Sequence, residues 1–69
     1  MNEFKSLRIK KNLTIDDIVK EIRYPTSVIE DIERDVKNFL PKPYAYYCLK
    51  AYGELLQITN LKKILDKYK

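Results

Sequence analysis

The 69-residue chain has no histidine, no tryptophan, one cysteine and one glycine. Each shortage excludes something. Without histidine there is no imidazole acid or base, and no His-based catalytic triad. One cysteine cannot form an internal disulfide, which suits a reducing compartment or indifference to redox state. Cysteine and histidine together fall short of a zinc site. A single glycine rules out a glycine-rich phosphate loop and a dinucleotide fingerprint. An enzyme is therefore not expected, and neither is a metal or a cofactor. Long apolar runs are missing too. The longest uncharged runs, Pro43–Leu49 and Leu55–Leu61, are far short of the ~18 residues a membrane span needs. The opening Met-Asn-Glu-Phe-Lys lacks the apolar core of a signal peptide. The expected location is the cytoplasm, with the chain serving as a binding head that needs something after Lys69.

Hydrophobic residues make up 45% of the chain, and their spacing predicts helices throughout. Phe4 and Leu7, with the stem of Lys11, mark one face of a first helix over about 2–11. Thr14 is the expected N-cap of a second, its hydroxyl accepting from the amide of Asp16 or Asp17. Ile15, Ile18, Val19 and Ile22 recur at i, i+3, i+4 and i+7, the buried face. Tyr24-Pro25 breaks the pattern. A third helix follows, capped by Thr26 or Ser27, with Ser27 and Glu30 spaced as a capping box. Pro41 and Pro43 then precede a fourth helix over about 43–57, with Ala45, Cys48, Leu49, Tyr52, Leu55 and Leu56 facing inward. Thr59 or Asn60 caps a last helix over about 60–68, through Leu61, Ile64, Leu65 and Tyr68. The expected fold is all-α: a single domain, 1–69, of five helices, with a helix-turn-helix over about 14–35.

The net charge of +4 is unevenly distributed. Residues 1–13 hold four basic residues and one acidic, a net of +3. Residues 14–35 hold three basic and seven acidic, a net of −4. Residues 36–69 hold seven lysines and two carboxylates, a net of +5. A helix that reads DNA needs Arg, Lys, Asn, Gln, Ser or Thr toward the bases and phosphates. The third helix offers Thr26, Ser27 and Arg34 among Glu30, Asp31, Glu33 and Asp35. Carboxylates repel phosphate, which supplies most of DNA affinity. Topology suggests a DNA reader, and the charge of its reading helix opposes it.

Four of the six tyrosines lie between Tyr44 and Tyr52. Tyr44, Tyr47, Ala51 and Glu54 share a second face of the fourth helix, away from the buried stripe. Tyrosine combines apolar area with a polar tip and is enriched at interfaces. The alternatives are packing under the 35–43 segment or stacking on a single-stranded nucleic acid beside Lys42 and Lys50.

Leu7-Arg8-Ile9-Lys10-Lys11-Asn12-Leu13-Thr14-Ile15-Asp16-Asp17-Ile18 resembles the opening of repressor-like helix-turn-helix domains, and Val28-Ile29-Glu30-Asp31-Ile32-Glu33 resembles their third helix. Leu40-Pro41, Tyr44 and Leu49-Lys50-Ala51-Tyr52-Gly53-Glu54-Leu55-Leu56 resemble the cytoplasmic domain of the RodZ family of cell-shape proteins. The resemblance implies a domain on the cytoplasmic face of the bacterial membrane that binds the actin-like MreB. Membrane attachment would come only through a segment absent from this chain. In that family, aromatic positions on the fourth helix meet the partner, and they match Tyr44 and Cys48. Cysteine departs from the pattern, and the adjacent Tyr47 is positioned to supply the missing ring. The expected partner-binding set is Tyr44, Tyr47, Cys48, Ala51 and Glu54. The alternative is a sequence-specific DNA-binding regulator using Thr26, Ser27 and Arg34, with phosphate contacts from Lys10, Lys11 and Lys37.

Overall fold

The computed structural model describes residues 3–66. Five helices are present among them and no strand: α1 Glu3–Lys10, α2 Ile15–Ile22, α3 Thr26–Glu33, α4 Tyr44–Leu56 and α5 Leu61–Asp66. The protein is an all-helical helix-turn-helix fold. Tyr68, expected on the last helix, lies outside the described residues.

Helix α2 begins as its sequence dictates. The Asp17 amide donates to Thr14 Oγ1 at 3.1 Å, and the Thr14 amide donates to Asp17 Oδ2 at 2.9 Å. This reciprocal pair satisfies two donors at the helix start. Those hydrogen bonds hold the Asp17 carboxyl below its ordinary pKa. The expected cap of α3 is different. Neither Thr26 nor Ser27 caps it, because helical geometry already begins at Thr26. Pro25 occupies the cap position with no side-chain hydrogen bond, and its carbonyl accepts from Val28 and Ile29 at 3.0 and 3.3 Å. Asn60 similarly starts α5, its carbonyl accepting from Lys63 and Ile64 at 3.1 and 3.4 Å.

The helix ends carry strain that glycine would relieve. Asn12, Arg23, Asp35 and Gln57 all have positive φ, between 58° and 62°. Three of them close Schellman motifs. In each, the left-handed residue and the apolar residue after it donate back into the last turn: Asn12 and Leu13 to Ile9 and Arg8, Asp35 and Val36 to Ile32 and Asp31, Gln57 and Ile58 to Glu54 and Gly53. The left-handed region costs most L-residues roughly 1–2 kcal/mol. Arg23→Gly and Gln57→Gly are each expected to stabilise the domain by about 0.5–1 kcal/mol after glycine's entropy loss. Together they should raise the melting temperature by several degrees, measured by circular dichroism.

The core draws on every helix: Phe4, Ile18, Val28, Ile29, Ile32, Ala45, Cys48, Leu49, Tyr52, Leu56 and Leu65 are buried, as is Phe39 of the 34–43 connection. Ile15, Val19 and Ile22 are half-buried around Ile18, and Leu40 and Leu55 likewise pack on the core edge. Lys11 does not lie along the inner face of α1. It is exposed, and Arg8 turns inward in its place.

Arg8 organises a partly buried polar cluster at the edge of this core. Its Nε and Nη2 donate to Glu33 at 2.7 and 3.1 Å, and Nη1 donates to the Leu13 carbonyl at 2.9 Å. Tyr52 Oη donates to the same Glu33 carboxylate at 2.6 Å. The Arg8 and Glu33 side chains are only 12% and 6% exposed. The hydrogen bonds to Glu33 raise the Arg8 pKa further. The Phe4 ring covers Tyr52 at a centroid distance of 5.0 Å. The cluster thus ties α1, α3 and α4 at one point.

Gly53, the single glycine, lies inside α4 and is buried. A Cβ there would meet the Leu61 side chain, 2.9 Å from Cδ2 and 3.1 Å from Cγ. A side chain at 53 would push Leu61 aside, and glycine lets the Leu61 side chain lie directly against α4.

Candidate functional site

The outer face of α4 carries the tyrosines. Tyr44 is 61% exposed and Tyr47 56% exposed. They stand one turn apart at the start of α4, so their rings lie on one side. Tyr46 behaves differently. It is half-buried against the core, and its ring meets that of Tyr47 edge-on at 5.4 Å. Tyr46 therefore buttresses Tyr47, a favoured arrangement of two aromatic quadrupoles. Further along the helix, Ala51 is half-buried and Glu54 exposed.

Cys48 does not belong to this face. It is 0% exposed, so it has no surface to offer a partner, and the expectation that it makes contact is corrected. Its spacing with Ala45, Leu49 and Tyr52 puts it on the buried stripe. Burial pushes its thiol up from 9.0 to about 12. Desolvation, with the hydrogen bond to Glu33, also raises the Tyr52 hydroxyl above its usual value. Both groups are neutral when protonated, and both pKa values are higher folded than unfolded. The stability they confer is fully present below about pH 9 and is lost as pH rises toward the folded values. Urea midpoints should therefore fall between about pH 9 and pH 11, with a shallower decline in Cys48→Ala.

The residues expected for DNA contact occupy other surfaces. Thr26 and Ser27 are exposed at the start of α3 and Arg34 just past its end, while Lys10 at the end of α1, Lys11 just after it and Lys37 in the 34–43 connection are exposed. Glu30 and Asp31 are half-exposed on α3. Glu33, counted from sequence with that outer face, instead turns inward to Arg8. Its inward turn was not legible in the spacing of α3 taken alone. The signal was its chemical match to Arg8, the α1 cation that lies one turn beyond Phe4.

Among the described residues, no cluster of His, Cys, Asp or Glu is arranged to hold a metal ion. Among the same residues, no helix is long and apolar enough to cross a membrane.

A family model described as a helix-turn-helix domain matches residues 3–62. The chain belongs to that helix-turn-helix family. No curated protein and no solved structure matches it.

Proposed function

We propose that this helix-turn-helix family member is a protein-binding domain that docks on a filament subunit through the outer face of α4. One observation carries the reading: two neighbouring tyrosines, Tyr44 and Tyr47, are more than half exposed, and a third ring braces the second from behind. Large exposed aromatics held rigid lose little entropy on binding and are typical anchors. Ala51 and Glu54 continue the face without obstructing it. The resemblance of residues 4–58 to the RodZ cytoplasmic domain supplies the candidate partner, the bacterial actin MreB. It also supplies the expected setting, the cytoplasmic face of a membrane reached through a segment outside this chain. Co-sedimentation of the domain with polymerised MreB tests the reading. Enrichment in the pellet supports it, and a supernatant-only domain contradicts it.

A second reading, sequence-specific DNA binding, has one observation in its favour. With Glu33 turned inward, Thr26 and Ser27 stand at the open end of α3 with fewer carboxylates around them. Glu30 and Asp31 still face the phosphates such a helix would approach. Binding that weakens steeply with added salt in a gel shift would support this alternative.

A further inference from the structure

The cations and the exposed rings of this domain gather on the same helix. Residues 36–53 hold three lysines and no Asp or Glu, and the exposed Tyr44 and Tyr47 stand within that stretch. We infer that the outer face of α4 binds a short single-stranded nucleic acid, its bases stacking on Tyr44 and Tyr47 and its phosphates meeting Lys42, Lys50 and Lys62.

Three observations carry this. The first is the pair of rings. Residues three apart on a helix have Cβ atoms roughly 5–6 Å apart, so neighbouring bases of a flexible strand can each cover one tyrosine. Tyr46 holds the Tyr47 ring from behind, edge-on at 5.4 Å, so little freedom is lost when a base stacks on its open face. The second is charge. Lys42 precedes Tyr44 and Lys50 follows Tyr47 by one turn, and both are exposed. The fold adds a third cation that α4 does not contain. Helix α5 packs on α4 and brings Lys62 to the groove that Lys50 also lines. Glu54 and Asp66 line that groove too. They end the positive path there and keep the footprint to a few nucleotides. The third is the contrast with α3. Glu30 and Asp31, half-exposed on that helix, repel the phosphates of a duplex laid along it. A single strand has unpaired base faces to offer, and rings set between cations are the platform on which such strands stack. None of this uses the filament reading, although a strand and a filament subunit would compete for the same two rings.

The full 69-residue chain should be titrated with an oligothymidylate of about eight nucleotides, following ring and amide signals by NMR. Linear polyphosphate and phosphatidylglycerol vesicles serve as anions without bases. Saturable upfield shifts of the Tyr44 and Tyr47 ring protons are expected from the oligonucleotide alone, with a Kd on the order of 10⁻⁴ M at low salt. Three phosphate contacts predict that log K falls with log salt at a slope of about −2. Lys50→Gln with Lys62→Gln should bring that slope to about −0.7. Tyr44→Ala with Tyr47→Ala should weaken oligonucleotide binding by about 30-fold or more, with folding checked by circular dichroism. Equal ring shifts from polyphosphate would reduce the face to a charge patch, and ring shifts from vesicles alone would assign it to a lipid surface. Oligonucleotide shifts centred on Thr26 and Ser27 would return the strand to α3. Each of these results overturns the inference, as does the absence of ring shifts. No filament enters the titrations, so this inference and filament docking can fail separately.

Discussion

Glu33→Ala is expected to remove about 2–3 kcal/mol of stability, less than breaking one side of a fully buried ion pair because this pair is only partly buried. A domain of this length has a total of roughly 3–10 kcal/mol, so the loss is a large fraction of its stability. The reason is local. Alanine leaves the Arg8 guanidinium, 12% exposed, hydrogen-bonded to the Leu13 carbonyl but without its counter-charge, and it removes the acceptor of Tyr52 Oη. A buried charge without its counter-charge and a buried hydroxyl without an acceptor both cost free energy. Tyr52→Phe removes only one charge-assisted hydrogen bond and should cost about 1.5–3 kcal/mol. Replacing the whole cluster, with Arg8→Met, Glu33→Leu and Tyr52→Phe together, should recover most of the Glu33→Ala loss, because nothing charged is then stranded. Urea denaturation followed by circular dichroism measures all three. A Glu33→Ala midpoint near that of the wild type would mean that the cluster does not hold α1, α3 and α4 together.

That cluster also marks the limit of what the sequence made legible. Elements fixed by local chemistry were readable: the Thr14 cap with Asp17, the break at Tyr24-Pro25, and the buried stripe from Ala45 to Leu56. Each depends on residues within a few positions of one another. Arg8 and Glu33 are 25 positions apart, and no periodicity links a cation on one helix to a carboxylate on another. Counting Glu33 among the surface acids therefore made the outer face of α3 too negative. The helix ends were legible as well: the expected first and fourth helices, about 2–11 and 43–57, stop beside Asn12 and Gln57. Glycine is the usual mark of a left-handed helix end, and here Asn12, Arg23, Asp35 and Gln57 serve instead. The legible signal was the polar-apolar pair Asn12-Leu13, Asp35-Val36 and Gln57-Ile58, whose second residue follows the turn. The one glycine, conversely, lies mid-helix, where the Leu61 side chain packs against it. For the candidate site, periodicity separated Tyr44 and Tyr47 from the core and placed Cys48 within it. The family resemblance pointed to Cys48 as a contact, and burial overrules that point.

The second large effect is expected at the tyrosine face. Aromatic anchors at the centre of an interface commonly contribute 2 kcal/mol or more each on truncation. Tyr44→Ala with Tyr47→Ala should therefore weaken filament binding by about 100-fold or more, the two losses being less than additive if the rings share one pocket. Stability should change little, because both side chains are more than half exposed. That combination separates a docking role from a structural one. Thr26→Ala with Ser27→Ala serves as the control on the other exposed face and should leave filament binding unchanged. The most direct measurement is co-sedimentation of the double tyrosine variant with polymerised MreB, beside the wild type and this control. Loss of the tyrosine variant from the pellet, with its melting temperature preserved, is the expected result. Equal pelleting of all three proteins would contradict docking through Tyr44 and Tyr47.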